Sequence, residues 1–265
     1  MYDFNYKKAA SVEDAVKAVT SAEDGKFMSG GMTLLPTLKQ RLAKPSDVVD
    51  LGAIPGLDGI TVSGKTLTIG AMTRHAVVAA SADVKKAIPA LAKLAGLIGD
   101  PQVRNRGTIG GSVANSDPAA DYPAGVLGCG ATIHTNKRTI KADDFFKGIF
   151  ETALEPGEMI TKFDFPVPDK AGYMKFPNPA SRYAVVGVFV AKTGNDVRVA
   201  VTGAGPCAFR VPDMEKALAG NFAPAAVENI KVPAGNLNSD IHASAEYRAH
   251  LVTVMAKRAV AEAAG

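Results

Sequence analysis

Ser29-Gly30-Gly31-Met32-Thr33 and Thr108-Ile109-Gly110-Gly111-Ser112 are double-glycine turns flanked by hydroxyl side chains, far apart in the chain. Glycine adopts positive φ readily and lets a ligand approach bare backbone N–H groups. Successive N–H groups that point into one concavity form a nest for an anion, most often a phosphate. Either pair alone indicates no more than an ordinary turn. Together, the two pairs favour two lobes that close on one diphosphate.

The first glycine pair belongs to a β–turn–α–β module. Residues 26–28 form a short strand that runs into the turn, and residues 48–51 form the strand that closes the module. A helix begins at Thr33 with Pro36 in its first turn, where proline is tolerated. Its predicted apolar face consists of Leu34, Leu35, Leu38 and Leu42. An earlier helix begins after Ser11, a typical N-cap residue.

The rest of the chain shows short strands and helices without an internal repeat. Residues 60–62 and 66–69 predict a hairpin, and Pro89 interrupts or kinks a helical pattern over residues 81–95. Proline, glycine and charge over residues 166–172 predict a domain boundary. Further elements are predicted as helices at residues 73–80, 212–219 and 243–264, a loop at residues 100–107, and strands at residues 131–134, 138–140, 159–165, 184–191 and 197–202.

Composition excludes several classes of protein. The 265 residues are 47% hydrophobic and 21% charged, with a net charge of +4 and no tryptophan. The scattered basic residues do not form the patch with aromatic platforms that nucleic-acid binding needs. No apolar stretch has the length of a membrane span, and the N-terminus lacks the pattern of a secretory signal, so we expect a cytoplasmic protein. The cysteines, Cys129 and Cys207, are too few for an iron–sulfur cluster.

The sequence shows no catalytic group of its own. The histidines lack metal-ligand spacing, so no metal site is expected, and no serine lies in a nucleophile elbow. Gly203-Ala204-Gly205 is followed by Pro206 and has no third glycine in register, so the NAD-binding fingerprint fails. Asp117 fits a turn around Pro118. For Asp121 two roles are equally consistent with the sequence: a turn residue, or a carboxylate that binds sugar or ribityl hydroxyls. A bound cofactor with a diphosphate would therefore carry the chemistry.

The run from Ser29 to Pro36 resembles the first FAD loop of the flavoprotein (medium) subunits of molybdenum hydroxylases. The run from Arg104 to Asn115, continuing to Asp121, resembles the second loop. Residues 152–158 (TALEPGE) and 243–248 (ASAEYR) are also typical of this family. The similarity covers essentially the whole chain. It is greatest to the medium subunit of carbon monoxide dehydrogenase and to subunit M proteins of the xanthine dehydrogenase type.

The resemblance implies an α+β fold. Residues 1–168 would form a two-lobed FAD-binding domain of the vanillyl-alcohol-oxidase/PCMH type, with lobes at about 1–55 and 56–168. Residues 169–265 would form a small C-terminal domain with a three-stranded antiparallel sheet. A small partner subunit with two [2Fe–2S] clusters would deliver electrons one at a time to FAD, which passes them to an external acceptor. A large molybdopterin subunit would oxidise the substrate, in a dimer of heterotrimers.

The resemblance also implies the residues that bind FAD. Those expected at the diphosphate and ribityl chain are Ser29, Gly30, Gly31, Met32, Thr33, Leu34, Leu35, Pro36, Thr108, Ile109, Gly110, Gly111 and Ser112. Asn115 and Asp121 match positions that hold the polar tail or the ribityl hydroxyls. Ile160 matches a backbone contact to the isoalloxazine ring, and Lys175 and Tyr183 would approach the ring from the C-terminal domain. Met32 departs from the small polar residue or histidine often found in the first loop.

Two alternatives stay open at the level of sequence. A free-standing flavin oxidase of the same superfamily would act on its own substrate, although a larger substrate domain and a His or Cys tether to the flavin are absent from the pattern. A docking subunit that has lost FAD would be colourless after purification, and the intact glycine loops argue against it.

Overall fold

The computed structural model of the protein describes residues 1–265 and begins with a small parallel sheet. The strands of this sheet lie in the order β1-β3-β2. Its elements are β1 (Asn5–Lys8), α1 (Val12–Thr20), β2 (Gly25–Met28), α2 (Leu34–Lys39) and β3 (Asp47–Asp50). Ser11 caps α1 by accepting a hydrogen bond from the Asp14 N–H, as predicted. Leu42 departs from the prediction, because α2 ends before it and its side chain is 73% exposed.

The second part of the chain is built on a five-stranded antiparallel sheet in the order β4-β5-β10-β6-β7. The strands of this sheet are β4 (Ile60–Ser63), β5 (Thr66–Gly70), β6 (Thr132–Thr135), β7 (Thr139–Lys141) and β10 (Ile160–Pro166). Between β7 and β10, β8 (Phe146–Gly148) and β9 (Glu151–Thr152) form a separate hairpin. The helices of this part of the chain are α3 (His75–Ala80), α4 (Ala82–Ala87), α5 (Pro89–Gly96), α6 (Pro101–Arg104), α7 (Ile109–Asn115), α8 (Tyr122–Gly128) and α9 (Ala142–Phe145).

The first of the two alternatives for Pro89 is confirmed: it interrupts the helical pattern and begins a new helix, because proline lacks the N–H that a helix interior requires but fits the first helical turn. Another local prediction in this region needs correction. The second glycine pair is not a separate turn. Gly110 and Gly111 lie in the first turn of α7, and Thr108 is the N-cap residue that accepts a hydrogen bond from the Gly111 N–H.

The C-terminal part places an antiparallel sheet against helices. Its elements are β11 (Lys170–Pro177), β12 (Ala184–Thr193), β13 (Asp196–Thr202), β14 (Phe209–Arg210), α10 (Pro212–Gly220), a 3₁₀ turn (Pro224–Ala226) and α11 (Ala245–Ala264). The sheet order is β11-β12-β13-β14, so the three expected strands are present and a fourth, two-residue strand extends the edge beside β13. The predicted hairpin across Gly194 is confirmed.

The sheet β11–β14 is covered on both faces. Helices α10 and α11 pack on one face, and α5 and α8 of the preceding region pack on the other. The largest apolar core, of 31 residues, joins the second part of the chain to this sheet through Tyr173 and Phe189. A Cβ added at Gly128 of α8 would lie 2.7 Å from the Phe189 ring, so this contact needs glycine. None of the helices combines the length and the apolar character needed to cross a membrane.

Candidate functional site

The two glycine segments lie in direct contact, although 79 positions separate Ser29 from Thr108. The Thr108 hydroxyl donates a hydrogen bond of 3.2 Å to the Ser29 hydroxyl. A Cβ at Gly30 would collide with the Arg106 carbonyl oxygen, and a Cβ at Gly111 would lie 2.5 Å from Ser29 Oγ. Both positions therefore need glycine because the two segments pack against each other.

The first segment presents unpaired backbone N–H groups. Those of Gly30, Gly31, Met32 and Thr33 donate to no other backbone atom of the chain. Gly31 has φ of +72°, the left-handed conformation that bends successive N–H groups toward one side. Since unpaired N–H groups are costly once buried, this turn is suited to an anionic ligand such as a diphosphate.

The second segment differs from the prediction, because its N–H groups already have partners. The Gly110 N–H donates to the Ala71 carbonyl at 2.8 Å, and the Ile109 N–H donates to a carbonyl in the same segment after β5. The Gly111 N–H donates to the Thr108 hydroxyl at 3.1 Å. A Cβ at Gly110 would lie 2.6 Å from the Ala71 Cβ. These glycines allow close packing between segments. Toward a ligand, the second segment would present hydroxyl groups and open space instead of bare N–H groups.

A cleft of about 570 Å³ opens between the two segments, and 15 of its 34 lining residues are hydrophobic. Cofactor pockets commonly have this size and this mixed character. The wall includes these predicted residues: Ser29, Gly30, Gly31, Met32, Thr33, Leu34, Thr108, Gly110, Gly111, Ser112, Asn115, Asp121, Ile160 and Tyr183. The structure does not bring the remaining four to the wall: Leu35, Pro36, Ile109 and Lys175.

Sequence reasoning missed several other lining residues. They include Lys26, Met28, Ala71, Met72, His75, Ile98, Gly99, Val103, Gly107, Leu154, Glu158, Ser181 and Arg182. Residues 71–75 reach the site because they pair with the second glycine segment through a bridge between Arg74 and Thr108. No local motif marks that pairing. Nothing in the sequence marks Arg182 as a cleft residue. In the structure its φ of +63° is unusual for a residue other than glycine.

Glu158 fixes the loop that carries the apolar wall of the cleft. Its carboxylate accepts hydrogen bonds from Arg138 Nε at 3.0 Å, from the Thr135 hydroxyl at 2.7 Å and from the Glu155 N–H at 2.9 Å. Although burial opposes ionisation, these donors lower the pKa of Glu158 to about 2. The carboxylate is thus ionised and fully bonded, and it holds the backbone that leads into Ile160.

Asp121 lies at the wall but is bonded within the protein. Its carboxylate accepts a hydrogen bond from the Tyr173 hydroxyl at 2.6 Å and forms an ion pair with Lys175 at 2.9 Å. Burial raises the pKa of Asp121, while Lys175 and Tyr173 oppose that shift. Lys175 also donates to the Leu97 carbonyl at 2.8 Å. The Lys175 side chain therefore lies behind the cleft and joins the C-terminal sheet to two segments of its wall.

The turn between β11 and β12 brings Tyr183 to the mouth of the cleft. Asn178 Oδ1 accepts hydrogen bonds from the Ala180 and Ser181 N–H groups and so folds this turn. Tyr183 remains 47% exposed, and it lines the same wall as Asp117. Asp117 accepts a hydrogen bond of 2.9 Å from the Ala119 N–H, which is the turn geometry predicted for it.

A mixed α/β fold with a nest of N–H groups at a cofactor-sized cleft is typical of proteins that bind a phosphate-containing cofactor. The family model described as FAD binding domain in molybdopterin dehydrogenase matches residues 2–168. The model of the CO dehydrogenase flavoprotein C-terminal domain matches residues 171–263. The chain therefore belongs to the family of FAD-binding flavoprotein subunits of molybdopterin dehydrogenases, which are oxidoreductases, and FAD is its cofactor.

Individual relatives resemble the chain over nearly its whole length. The nicotine 6-hydroxylase medium subunit of Paenarthrobacter nicotinovorans is 39% identical, over 97% of this chain and 96% of that protein. The carbon monoxide dehydrogenase medium chain of Hydrogenophaga pseudoflava is 35% identical, over 97% and 96%. Among solved structures, quinoline 2-oxidoreductase from Pseudomonas putida 86 has a TM-score of 0.89 at 29% identity, covering 99% of this chain and 97% of that one.

Proposed function

We propose that this chain is the electron-transferring FAD subunit of a molybdenum-containing hydroxylase. The observation that carries the proposal is the nest formed by the Gly30–Thr33 N–H groups, with the second glycine segment packed directly opposite. The diphosphate of FAD would accept hydrogen bonds from these N–H groups. The hydroxyls of Ser29 and Ser112 line the same cleft and would supply further donors around it.

The other end of the cleft suits the flavin. Asn115 and Asp121 would face the ribityl chain or the polar tail, Ile160 would contact the isoalloxazine ring, and Tyr183 would cover it from the C-terminal domain. When bound, FAD supplies the redox chemistry, which is to accept electrons one at a time and pass them to the external acceptor. The protein's own residues bind and orient it, and Lys175 would act indirectly by holding Asp121 and the Leu97 carbonyl.

The chain would work inside a larger assembly. Relatives are named medium subunits or medium chains, which supports a small partner with [2Fe–2S] clusters and a large molybdopterin partner, arranged as a dimer of heterotrimers in the cytoplasm. We further propose an FAD-binding domain at residues 1–168, with lobes at about 1–55 and 56–168, and a C-terminal domain at residues 169–265. The extents of the two family matches support this division.

The experiment that tests this function compares FAD with FMN on the full chain. Purified protein should show a flavin spectrum with one FAD per chain, and the stripped protein should rebind FAD at least about 100-fold more tightly than FMN, because FMN lacks the diphosphate bridge that the nest would hold. Equal affinity for the two flavins would contradict the role of the glycine segments. A colourless protein that rebinds neither would instead support the FAD-free docking subunit.

A further inference from the structure

His75 is a cleft residue whose imidazole forms no hydrogen bond within the protein, at either ring nitrogen. It begins α3, is 4% exposed, and its Nδ1 is buried with no hydrogen-bond partner. The ring of Tyr122 packs beside it at 5.3 Å between centroids, and the Tyr122 hydroxyl is also buried without a partner. Buried polar groups in folded proteins nearly always have partners. An ordinary core position would favour an apolar side chain here.

The imidazole is held at the second glycine segment. The backbone N–H of His75 donates to the Gly107 carbonyl at 3.0 Å, and a Cβ at Gly107 would lie 2.5 Å from His75 Nε2. The glycine therefore leaves room for the Nε2 edge of the ring, and both residues line the cleft. Gly107 directly precedes Thr108, whose hydroxyl contacts Ser29 of the first glycine segment.

The charge of the imidazole limits what it can bind. Burial, reinforced by the neighbouring Arg104, lowers the pKa of His75 to about 4. Near neutral pH the ring is uncharged, with one nitrogen as donor and the other as acceptor. Such a group does not neutralise a diphosphate. It suits a hydroxyl or another uncharged polar atom.

We infer that His75 is a binding residue for the dinucleotide, and that its Nε2 forms a hydrogen bond with a hydroxyl of the FAD chain beside the diphosphate. The inference rests on FAD occupying this cleft. The Tyr122 ring packs beside the imidazole, and the absence of a side chain at Gly107 leaves room for the Nε2 edge of the imidazole.

Three variants of the full chain separate this role from a packing role. The amide of His75→Gln reaches the position of Nε2, the amide of His75→Asn reaches that of Nδ1, and His75→Phe keeps a ring without nitrogen. FAD binding to each stripped protein is followed by fluorescence, and thermal unfolding without FAD is measured in parallel. We expect the Gln variant to bind FAD within twofold of wild type, and the Asn and Phe variants about five- to tenfold more weakly.

The outcomes discriminate between the two roles. Equal FAD affinity in all three variants would overturn the inference. Rescue by Asn but not by Gln would overturn it too, because the important nitrogen would then be Nδ1, which is buried within the protein. A change in thermal unfolding without any change in FAD affinity would leave His75 as a packing residue only. Failure of the wild-type chain to bind FAD would contradict the proposed function itself.

Discussion

Replacing Lys175 by Met should destabilise the protein severely, because it leaves a buried carboxylate without its cation. The Lys175 and Asp121 side chains are 3% and 4% exposed, so neither charge is compensated by water. Breaking a buried ion pair from one side typically costs about 3–5 kcal/mol. The Leu97 carbonyl would lose its donor as well. With about 2–4 °C per kcal/mol for a chain of this size, the expected drop in unfolding temperature is about 10 °C.

The assay is urea and thermal unfolding of wild type, Lys175→Met, Asp121→Asn and the double variant. The double variant should recover most of the loss, since an uncharged amide can keep the hydrogen bond to Tyr173 without a buried charge. In Lys175→Met, the pKa of Asp121 rises further, so the folded state binds a proton that the unfolded state releases. The deficit should therefore shrink as the pH falls from 7 to 5. A loss below about 1 kcal/mol at pH 7, or no recovery in the double variant, would refute the reasoning.

Three further changes test other parts of the site. Gly30→Ala should weaken FAD binding more than about tenfold, because its methyl group would collide with the Arg106 carbonyl, whereas Gly220→Ala, at a position with open space, should leave the FAD dissociation constant unchanged. Ionised Glu158 should contribute about 2–3 kcal/mol to the free energy of unfolding above pH 4.5, and this contribution is lost as the pH falls toward 2. The urea midpoint of Glu158→Gln should therefore lie below that of wild type at pH 7, and the two midpoints should converge in acid. Because the pKa of His75 is about 4 in the folded protein, the free energy of unfolding of wild type should fall by about 2 kcal/mol between pH 7 and pH 5. The His75→Gln variant should not show this loss.

The secondary structure around the first glycine pair could be predicted because its signals are local. Ser11 as an N-cap, Pro36 in a first turn and the short apolar strands all act within a few residues. The positive φ of Gly31 follows from the same kind of local reasoning. Periodicity alone predicts Leu42 on the apolar face, but the helix ends too early to include it.

Local sequence patterns place the glycine segments at the cleft, whereas Asn115, Ile160 and Tyr183 are expected there only through the family resemblance. The second pair lies at the cleft, but the Gly110 N–H is already bonded to the Ala71 carbonyl, far earlier in the chain in the segment after β5. Pairing at that separation leaves no periodic trace in the sequence. His75 was missed for the same reason, and Lys175 is separated from the cleft by its ion pair with Asp121, which only the packed structure reveals.

The apolar core that continues from α8 into the sheet β11–β14 also limits how such a chain can be cut or recombined. Sequence models divide it near residue 170, yet Tyr173 and Phe189 are fully buried among side chains from the preceding part. A fragment ending at residue 168 would expose that surface and should aggregate. Exchanging the C-terminal part with that of a relative would succeed only if the residues facing Gly128 were exchanged with it. The boundary between the two family matches thus runs through a shared apolar core.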